Sequence, residues 1–103
     1  MSTYTDTEVV IDEKIKQESK EPGKYKVIMI NDDTTPMDWV IGVLMTIFKH
    51  SETTAKDLTL TIHNEGSGVA GIYTYEIAEQ KSIEAVNASR ERGFPLNIKI
   101  DKE

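Results

Sequence analysis

The chain has 103 residues, of which 18 are acidic and 12 are basic, so its formal net charge is -6. A chain of this length buries one modest core, and we therefore expect a single domain without a large enzyme cavity. The acidic balance repels phosphate backbones and no Lys/Arg cluster offsets it, which argues against nucleic acid as a partner. Because there is no cysteine, disulfides, thiolate catalysis and cysteine-ligated zinc are excluded.

The sequence also bears on location. No apolar segment approaches the roughly 20 residues that span a bilayer. The first ten residues, MSTYTDTEVV, are polar and have neither a signal-peptide nor a transit-peptide pattern. We therefore expect a cytoplasmic protein with no membrane partner. In a eukaryote, the stroma of an organelle would be the alternative.

Residues 1–23 differ in composition from the rest of the chain. They alternate acids, lysines and Ser/Thr, with EVVI as their only apolar group, and they end in Glu-Pro-Gly. Such a segment has too little apolar surface to bury and closes with turn-forming residues. The pattern predicts a flexible N-terminal extension over 1–23, followed by a folded domain over 24–103.

A strand, a polar turn and a helix are predicted next. The run KYKVIMI at 24–30 is rich in β-branched and apolar residues, which indicates a strand buried on much of both faces. After the Asn-Asp-Asp turn, Thr35 fits a helix N-cap, with Pro36 at the first helical position and Asp38 at the third. We expect this helix to end near His50. Its apolar face is formed by Val40, Val43, Leu44, Ile47 and Phe48.

The second half of the chain is less uniform in its signals. Between residues 51 and 64 the apolar positions alternate as in a strand, but they also fit a helical stripe. A Gly-Ser-Gly turn follows, and a second strand is predicted over 69–75. A further helix is predicted from its N-cap Thr74 and its apolar residues Ile77, Ala78, Ala85 and Val86. Gly93 and Pro95 end that helix, and 96–100 alternate as a final strand.

One set of polar side chains stands apart from the solvated helix faces. Asn31, Asp32 and Asp33 leave the first strand together, and His63 is the other plausible member of a convergent group. A single side chain can satisfy a tight turn, so three in a row exceed the needs of local structure. The alternative is purely structural: Asp33 and Thr35 would serve the turn and the cap, and His63 would face a helix dipole.

Enzymatic and metal chemistry find little support in the motifs. A metal site would need a ligand spacing such as H-E-x-x-H, and a hydrolytic nucleophile would need a motif such as G-x-S-x-G. The chain has neither. We therefore expect no enzyme, no metal and no cofactor. What remains is a binding site for a cationic group beside an apolar one.

The same residues carry a resemblance to a known family. The run KYKVIMINDDTTPMDWVIGVL resembles the signature of the ClpS adaptors, which reads roughly YKVxLxNDDxTPMEFVxxVL. The match continues through LTIH, GIYTYEIAEQK and FPLNIKI, and so covers residues 24–101. NDDxTPM, a downstream dipeptide that ends in His, and a late Pro-Leu form a specific combination.

The resemblance implies both a fold and a function. The fold is α+β in the order β-α-α-β-α-β, with a three-stranded antiparallel sheet packed against helices, similar to the C-terminal domain of the ribosomal stalk protein. It assigns 53–64 to a helix. The function is that of an N-end rule adaptor, which binds N-degrons, the exposed amino termini that begin with Leu, Phe, Tyr or Trp. The adaptor passes these proteins to a ClpA- or ClpC-like AAA+ unfoldase for degradation and performs no covalent chemistry.

Residue by residue, the resemblance implies three groups of functional side chains. The α-amino group would be bound by Asn31, Asp32 and His63, with Asp33 and Thr35 in support. The first side chain would occupy a pocket formed by Met37, Val40, Thr59, Ile62 and Leu96. The unfoldase would dock on Glu76 and Lys81, and the extension over 1–23 would take part in transfer. From spacing alone, the pocket residues fit a core and the docking residues fit a solvated helix face.

Two departures from the family pattern bear on function. Gly42 lies inside the first helix, at a cost of roughly 1 kcal/mol relative to Ala, and would allow a neighbouring helix to approach closely. Thr59 stands where many relatives carry Met, which leaves the substrate range open. Two other functions stay in view: an interaction module of the same fold without N-degron recognition, and a metal-assisted hydrolase that uses Asp32 and His63.

Overall fold

Six elements follow one another in the computed structural model, which describes residues 23–103. They are β1 (Tyr25–Ile30), α1 (Met37–Thr46), α2 (Glu52–Glu65), β2 (Ser67–Tyr73), α3 (Tyr75–Glu91) and β3 (Asn97–Lys102). The order β-α-α-β-α-β and the three-stranded antiparallel sheet confirm the predicted α+β fold. The division into an extension and a domain stays a prediction, because residues 1–22 lie outside the described part.

β1 is the central strand of the sheet, whose order is β2-β1-β3. Its side chains Tyr25, Val27 and Met29 are buried in the core, and the residues between them are half-buried on the other face. The expected burial on both faces therefore holds completely for one face only. Both neighbouring strands pair antiparallel with β1, which places Met29 opposite Gly68 of β2 and Ile98 of β3.

A β-bulge interrupts the pairing of β1 with β2. The register shifts between Val27 and Ile28, and Ala70 is the additional residue of β2. A residue of this kind has backbone groups that are free to bond outside the ladder. The Nε2 of His50 lies 2.5 Å from the Ala70 carbonyl oxygen, and this contact joins the segment before α2 to the sheet.

The core is formed by apolar side chains from every element. It comprises Tyr25, Val27, Met29, Val40, Val43, Leu44, Ile47, Phe48, Ala55, Ile62, Ala70, Ala78, Ala85 and Leu96, with Ile98 and Ile100 of β3 packed against it. α3 buries only small side chains, which recur at helical spacing: Ala78, Ser82, Ala85 and Ser89. A stripe of small residues allows a helix to approach its neighbours closely.

The start of α1 differs from the sequence-based expectation. Pro36 occupies the N-cap position and no side chain caps the helix, so the prediction of Thr35 as N-cap is wrong. Thr35 instead donates its amide and its hydroxyl to the carboxylate of Asp32. Both hydrogen-bond donors of Thr35 are therefore satisfied within the turn, before the helix begins.

The end of α1 also differs, since the helix stops at Thr46 and not near His50. Lys49 has a left-handed φ of 64°, which is incompatible with a continued α-helix. The Lys81 ammonium donates a 2.7 Å hydrogen bond to the carbonyl of Ile47, which satisfies an acceptor beyond the helix end. This contact joins residues 34 positions apart, so no local pattern could have indicated it.

α2 resolves the ambiguous segment as a helix, as the family resemblance implied. Ser51 is its N-cap and accepts a 3.2 Å hydrogen bond from the Thr54 amide, and Gly66 ends it with a φ of 93°. Ile62 is buried while Leu60 is 51% exposed, which the helical arrangement allows. Strand alternation would have placed both side chains on one face.

The last three elements follow the predicted order with small shifts. β2 covers Ser67–Tyr73 instead of 69–75, because the chain turns at Thr74 into α3. Thr74 occupies the N-cap position as predicted, although its side chain makes no capping hydrogen bond. Gly93 has a φ of 83° and follows the end of α3, in agreement with its predicted role.

Candidate functional site

Asp32 organises the polar turn after β1. Its Oδ1 accepts hydrogen bonds from the amides of Thr34 at 2.8 Å and Thr35 at 2.7 Å, and its Oδ2 accepts the Thr35 hydroxyl at 2.8 Å. An ionised carboxylate offers about four acceptor positions. Three are occupied within the turn, so one position on Oδ2 is left for a further donor.

The hydrogen bonds also fix the charge of Asp32. Burial acts to raise the pKa of this carboxyl, but the bonds from the Thr35 side chain, the Thr35 amide and the Thr34 amide outweigh burial. The pKa is therefore lowered from its ordinary value of 3.8. At neutral pH the Asp32 carboxylate therefore carries a full negative charge.

A backbone contact ties this turn to the end of α2. The amide of Asn31 donates a 2.9 Å hydrogen bond to the carbonyl of Gly66, the residue that ends the helix. His63 lies in the last turn of the same helix, with an exposed side chain. The contact thus brings the end of β1 and the last turn of α2 together, although they are distant in sequence.

A cavity that is open to solvent lies between these elements; about 290 Å³ of space there, part of it open solvent, is not filled by protein atoms. It is lined by every residue that the resemblance assigns to binding of the α-amino group and to the pocket for the first side chain. The lining residues are Met29, Ile30, Asn31, Asp32, Thr35, Met37, Val40, Thr59, Ile62, His63 and Leu96. An acceptor-rich group and an apolar surface therefore share one cavity.

The apolar walls of the cavity differ in their exposure. Val40, Ile62 and Leu96 are between 1% and 7% exposed, so they belong to the core and present only part of their surface to the cavity. Met37 is 40% exposed and lies in the first turn of α1. It is therefore the apolar side chain at the mouth.

Thr59 is a buried polar member of the wall. Its hydroxyl donates a 2.8 Å hydrogen bond to the Ala55 carbonyl one turn earlier in α2. The hydroxyl proton is thus engaged within the helix, which is the usual arrangement for a threonine in a helix interior. At this position, where the resemblance implies Met in many relatives, the chain has a shorter side chain whose hydroxyl already has a partner.

Two lining residues, Met29 and Ile30, were not expected as part of the site. Met29 is fully buried at the end of β1, directly before the polar turn. The signal was present in the alternation of β1, which puts Met29 on the same face as Tyr25 and Val27. The last core-facing residue of a strand that leads into a binding turn lies beneath that turn.

Three predicted residues lie apart from the cavity. Asp33 is exposed and is absent from the lining. Glu76 is exposed in the first turn of α3. Lys81 is half-buried, donates to the Ile47 carbonyl and lies 5.5 Å from the centre of the Tyr73 ring. The role of Glu76 and Lys81 in docking stays a prediction, and Lys81 has a structural role in addition.

The residues that the structure describes also bear on two other kinds of site, a membrane span and a metal centre. None of the helices within 23–103 is both long and apolar enough to cross a bilayer. The same residues contain no group of three His, Asp or Glu side chains placed to hold a metal ion.

Comparison with known proteins decides the family. The family described as ATP-dependent Clp protease adaptor protein ClpS matches residues 20–99 of this chain. The chain belongs to the ClpS family. The ATP-dependent Clp protease adapter protein ClpS of Campylobacter jejuni is 47% identical over 83 residues, which cover 81% of this chain and 86% of the relative. The protein of that name from Treponema denticola is 41% identical over 88 residues, 85% of this chain and 87% of the relative.

A solved structure agrees with the ClpS fold. Agrobacterium tumefaciens ClpS2 bound to L-phenylalaninamide matches this chain with a TM-score of 0.78 and 40% sequence identity. The match covers 81% of this chain and 100% of that chain. Both the family and the fold implied by the resemblance are thereby confirmed.

Membership of the family establishes a coarse function. The chain is a substrate adaptor of the Clp protease and not an enzyme, so the metal-assisted hydrolase considered from the sequence is wrong. An adaptor of this kind implies a Clp AAA+ partner and substrate proteins. The structural question is which part of a substrate the cavity would recognise.

Proposed function

We propose that this ClpS chain binds the free amino terminus of proteins that begin with Leu, Phe, Tyr or Trp and delivers them to a Clp AAA+ unfoldase. One observation carries the proposal: the charged carboxylate of Asp32, with one acceptor position open, shares an apolar-walled cavity with Asn31 and His63. An α-ammonium group attached to an apolar side chain matches this combination of surfaces.

The three polar residues suit the three donors of an α-ammonium. Asp32 supplies charge and one free acceptor position, the side-chain amide of Asn31 offers a carbonyl oxygen, and a neutral His63 imidazole offers one ring nitrogen. Hydrogen bonds to a charged group contribute about 1.5–3 kcal/mol each. The ammonium is thereby distinguished from an acetylated amine, which lacks both the charge and two of the donors.

The apolar wall suits an apolar first side chain that is not branched at Cβ. Full burial of Leu or Phe contributes about 1.5–3 kcal/mol. Together with the polar contacts, and against an association cost of at least about 4 kcal/mol, the net is at most about 8 kcal/mol. This corresponds to a dissociation constant no tighter than about micromolar, which suits an adaptor that must release its cargo.

The structural relative supports the same class of ligand. Agrobacterium ClpS2 is described as bound to L-phenylalaninamide, a molecule with a free α-amino group and an apolar benzyl side chain. Its carboxyl is an amide, as in a peptide. We therefore infer that the cavity of this chain receives the first residue of a polypeptide in the same chemical form.

The test is a titration of the full chain with a labelled Leu-initiated peptide and with the same peptide acetylated at its amino terminus. We expect acetylation to abolish binding. Asp32→Asn should weaken binding of the peptide with a free amino terminus. Asp33→Asn, at an exposed position outside the cavity, should leave that binding unchanged. Equal affinity for the two peptides would falsify the proposal and favour the alternative of an interaction module without N-degron recognition.

For the unfoldase, we propose docking of a ClpA- or ClpC-like N-terminal domain on the start of α3, through Glu76 and Lys81. Glu76 is exposed, so Glu76→Gln changes only a surface charge. Lys81→Met would also remove the bond to Ile47, so its effect mixes docking with stability. A pull-down with the unfoldase N-terminal domain that Glu76→Gln leaves unchanged would remove Glu76 from the interface.

A further inference from the structure

Trp39 joins α1 to the end of α3 through contacts on several sides of its ring. The indole Nε1 donates a 2.8 Å hydrogen bond to the hydroxyl of Ser89, which lies 50 positions further along the chain. The ring meets Phe94 edge to face, with 5.6 Å between centroids, and the Arg92 guanidinium lies 5.1 Å from its centre. An indole held by a directional bond and two ring contacts has little freedom to move.

Ser89 is the buried member of the cluster formed by Trp39, Ser89, Arg92 and Phe94. It is 0% exposed, and its hydroxyl donates a 2.8 Å hydrogen bond to the Ala85 carbonyl. Because the hydroxyl proton is used there, its oxygen is available to accept from Trp39, whose indole nitrogen can only donate. The backbone carbonyl of Ser89 also accepts the amide of Phe94 at 2.9 Å. One residue therefore holds both Trp39 and the segment that follows α3.

The cluster is adjacent in sequence to two walls of the cavity. Val40 follows Trp39 on α1, and Leu96 lies two residues after Phe94; both line the cavity. A displacement of Trp39 relative to Phe94 would change the distance between these walls, because the adjoining backbone moves with each ring. The ClpS signature has Phe at the position of Trp39, and Phe has no N–H donor, so a chain that follows the signature at this position lacks the donor for such a bond.

We propose that Trp39 and Ser89 form a positioning pair that sets the spacing between Val40 and Leu96, and so determines how the cavity selects among first side chains. The inference rests on the proposed function, because selection requires that the cavity receives a first side chain. Neither Trp39 nor Ser89 lines the cavity, so the pair acts through the two walls and does not contact the ligand.

The pair has opposite consequences for small and large side chains. With the bond intact, a Leu side chain packs against both walls, while a Trp side chain has to force them apart. Without the bond the walls separate more easily, so Leu loses packing and Trp gains room. Affinity for a Leu-initiated peptide should fall about fivefold, the scale of one neutral hydrogen bond, while affinity for a Trp-initiated peptide stays constant or rises.

The experiment compares dissociation constants of Leu- and Trp-initiated peptides for the full chain and for Trp39→Phe, Ser89→Ala and the double variant. Trp39→Phe also changes the size of the ring and so disturbs packing. Ser89→Ala removes the same hydrogen bond by deleting a single oxygen and leaves the indole in place. Ser82→Ala is the matched control, because Ser82 is also buried on α3 and its hydroxyl has no hydrogen-bond partner. Thermal unfolding of each variant is measured alongside.

We expect each single variant to lower the preference for Leu over Trp about fivefold, the double variant to lower it no further, and Ser82→Ala to leave it unchanged. A preference that is unchanged in both single variants, whatever happens to the unfolding midpoint, would show that the pair only stabilises the fold. Independent effects that multiply in the double variant would also overturn the inference. Failure of the proposed function looks different, since the wild-type chain would then bind acetylated and free peptides equally.

Discussion

At the scale of single residues, Asp32 shows that a structural role and a binding role need not exclude each other. The sequence left two interpretations of the polar turn, one as local structure and one as a binding site. Three bonds from Thr34 and Thr35 support the first interpretation, yet they also hold the carboxylate charged and leave one acceptor position open. The surplus of acceptors over turn requirements, visible in the sequence, is the signal that local structure alone did not account for.

The lowered pKa of Asp32 predicts a pH-dependent contribution to stability. Because the folded-state pKa is depressed below 3.8, the contribution is fully present above that value and is lost as pH falls through the folded pKa. Asp32→Asn should therefore unfold more easily at pH 7, by about 1 kcal/mol, because solvent at this partly exposed site reduces the ~1.5–3 kcal/mol of bonds to a charged group. The difference from wild type should shrink as the pH is lowered below 3.8, as measured by denaturant unfolding. Asp33→Asn is the control, and a difference that stays constant with pH would assign the effect to packing.

Met37 predicts how the cavity excludes β-branched first residues. It lies at the mouth of the cavity in the first turn of α1, close in sequence to Asn31 and Asp32, which would bind the amino group. Val and Ile carry two heavy atoms on Cβ, so a methionine wall near the amine would clash with them. Met37→Ala should improve binding of Val- and Ile-initiated peptides at least about fivefold, from relief of a ~1 kcal/mol steric penalty.

The control for this prediction is Met45→Ala on the same helix. Met45 is 36% exposed and does not line the cavity, so its removal should leave the order of peptide affinities unchanged. Dissociation constants for peptides that differ only in the first residue provide the measurement. If Met37→Ala weakens every peptide equally and Val is still rejected, Met37 is an apolar contact and not a gate.

At the scale of elements, local pattern predicted the type of most elements but not where α1 begins and ends. The helical period of Val40, Val43 and Leu44 identified α1, since an apolar face is a property of the segment itself. Its N-cap was misassigned to Thr35 because Asp32, three residues before Thr35, accepts the Thr35 amide and hydroxyl. The segment that became α2 has too few apolar residues for its period to be decisive, and the family resemblance was needed to assign it.

Gly42 offers a direct test of helix energetics in α1. The expectation that a neighbouring helix approaches this residue is wrong, because a Cβ built there meets nothing within 4 Å. The glycine therefore costs helix stability without a packing benefit. Gly42→Ala should raise the free energy of unfolding by about 1 kcal/mol and leave peptide affinity unchanged.

A glycine with crowded surroundings provides the contrast. A Cβ at Gly68 would lie 2.9 Å from the Cγ1 of Ile62, a wall of the cavity. Gly68→Ala should therefore lower the free energy of unfolding and weaken peptide binding, because Ile62 must move. Denaturant titrations give the free energy of unfolding of both variants. A lower value for Gly42→Ala than for wild type would mean that Gly42 has a role which its open surroundings do not explain.

At the scale of the whole molecule, the cavity is a property of the assembled fold. Its walls come from β1, the polar turn, α1, α2 and the segment before β3. Local pattern could not distinguish Val40, Ile62 and Leu96 from ordinary core residues, since all three are buried and differ from the core only in facing a gap. The bonds from Trp39 to Ser89 and from Lys81 to Ile47, which link distant segments, were equally invisible before the fold was known.

The division of labour between the extension and the domain can be tested by truncation. Within the described residues 23–103, the cavity lining runs from Met29 to Leu96, so we expect deletion of residues 1–22 to leave the dissociation constant of a Leu-initiated peptide unchanged. Gly23 and Lys24 are retained, because the carbonyl of Lys24 accepts the amide of Glu103 at 2.9 Å. Degradation of a Leu-initiated substrate by the Clp unfoldase and peptidase should slow, since the family resemblance assigns the extension a part in transfer.

A variant with residues 1–22 in shuffled order separates two explanations of that loss. Their composition of acids, lysines and Ser/Thr is compatible with a role that depends only on length and solvation, in which case the shuffled chain should deliver substrate as well as wild type. A role that depends on order, for example on the apolar group EVVI, should leave the shuffled chain as slow as the truncated one. Weaker peptide binding in the truncated chain would contradict the prediction at its root, because the extension would then contribute to the cavity itself.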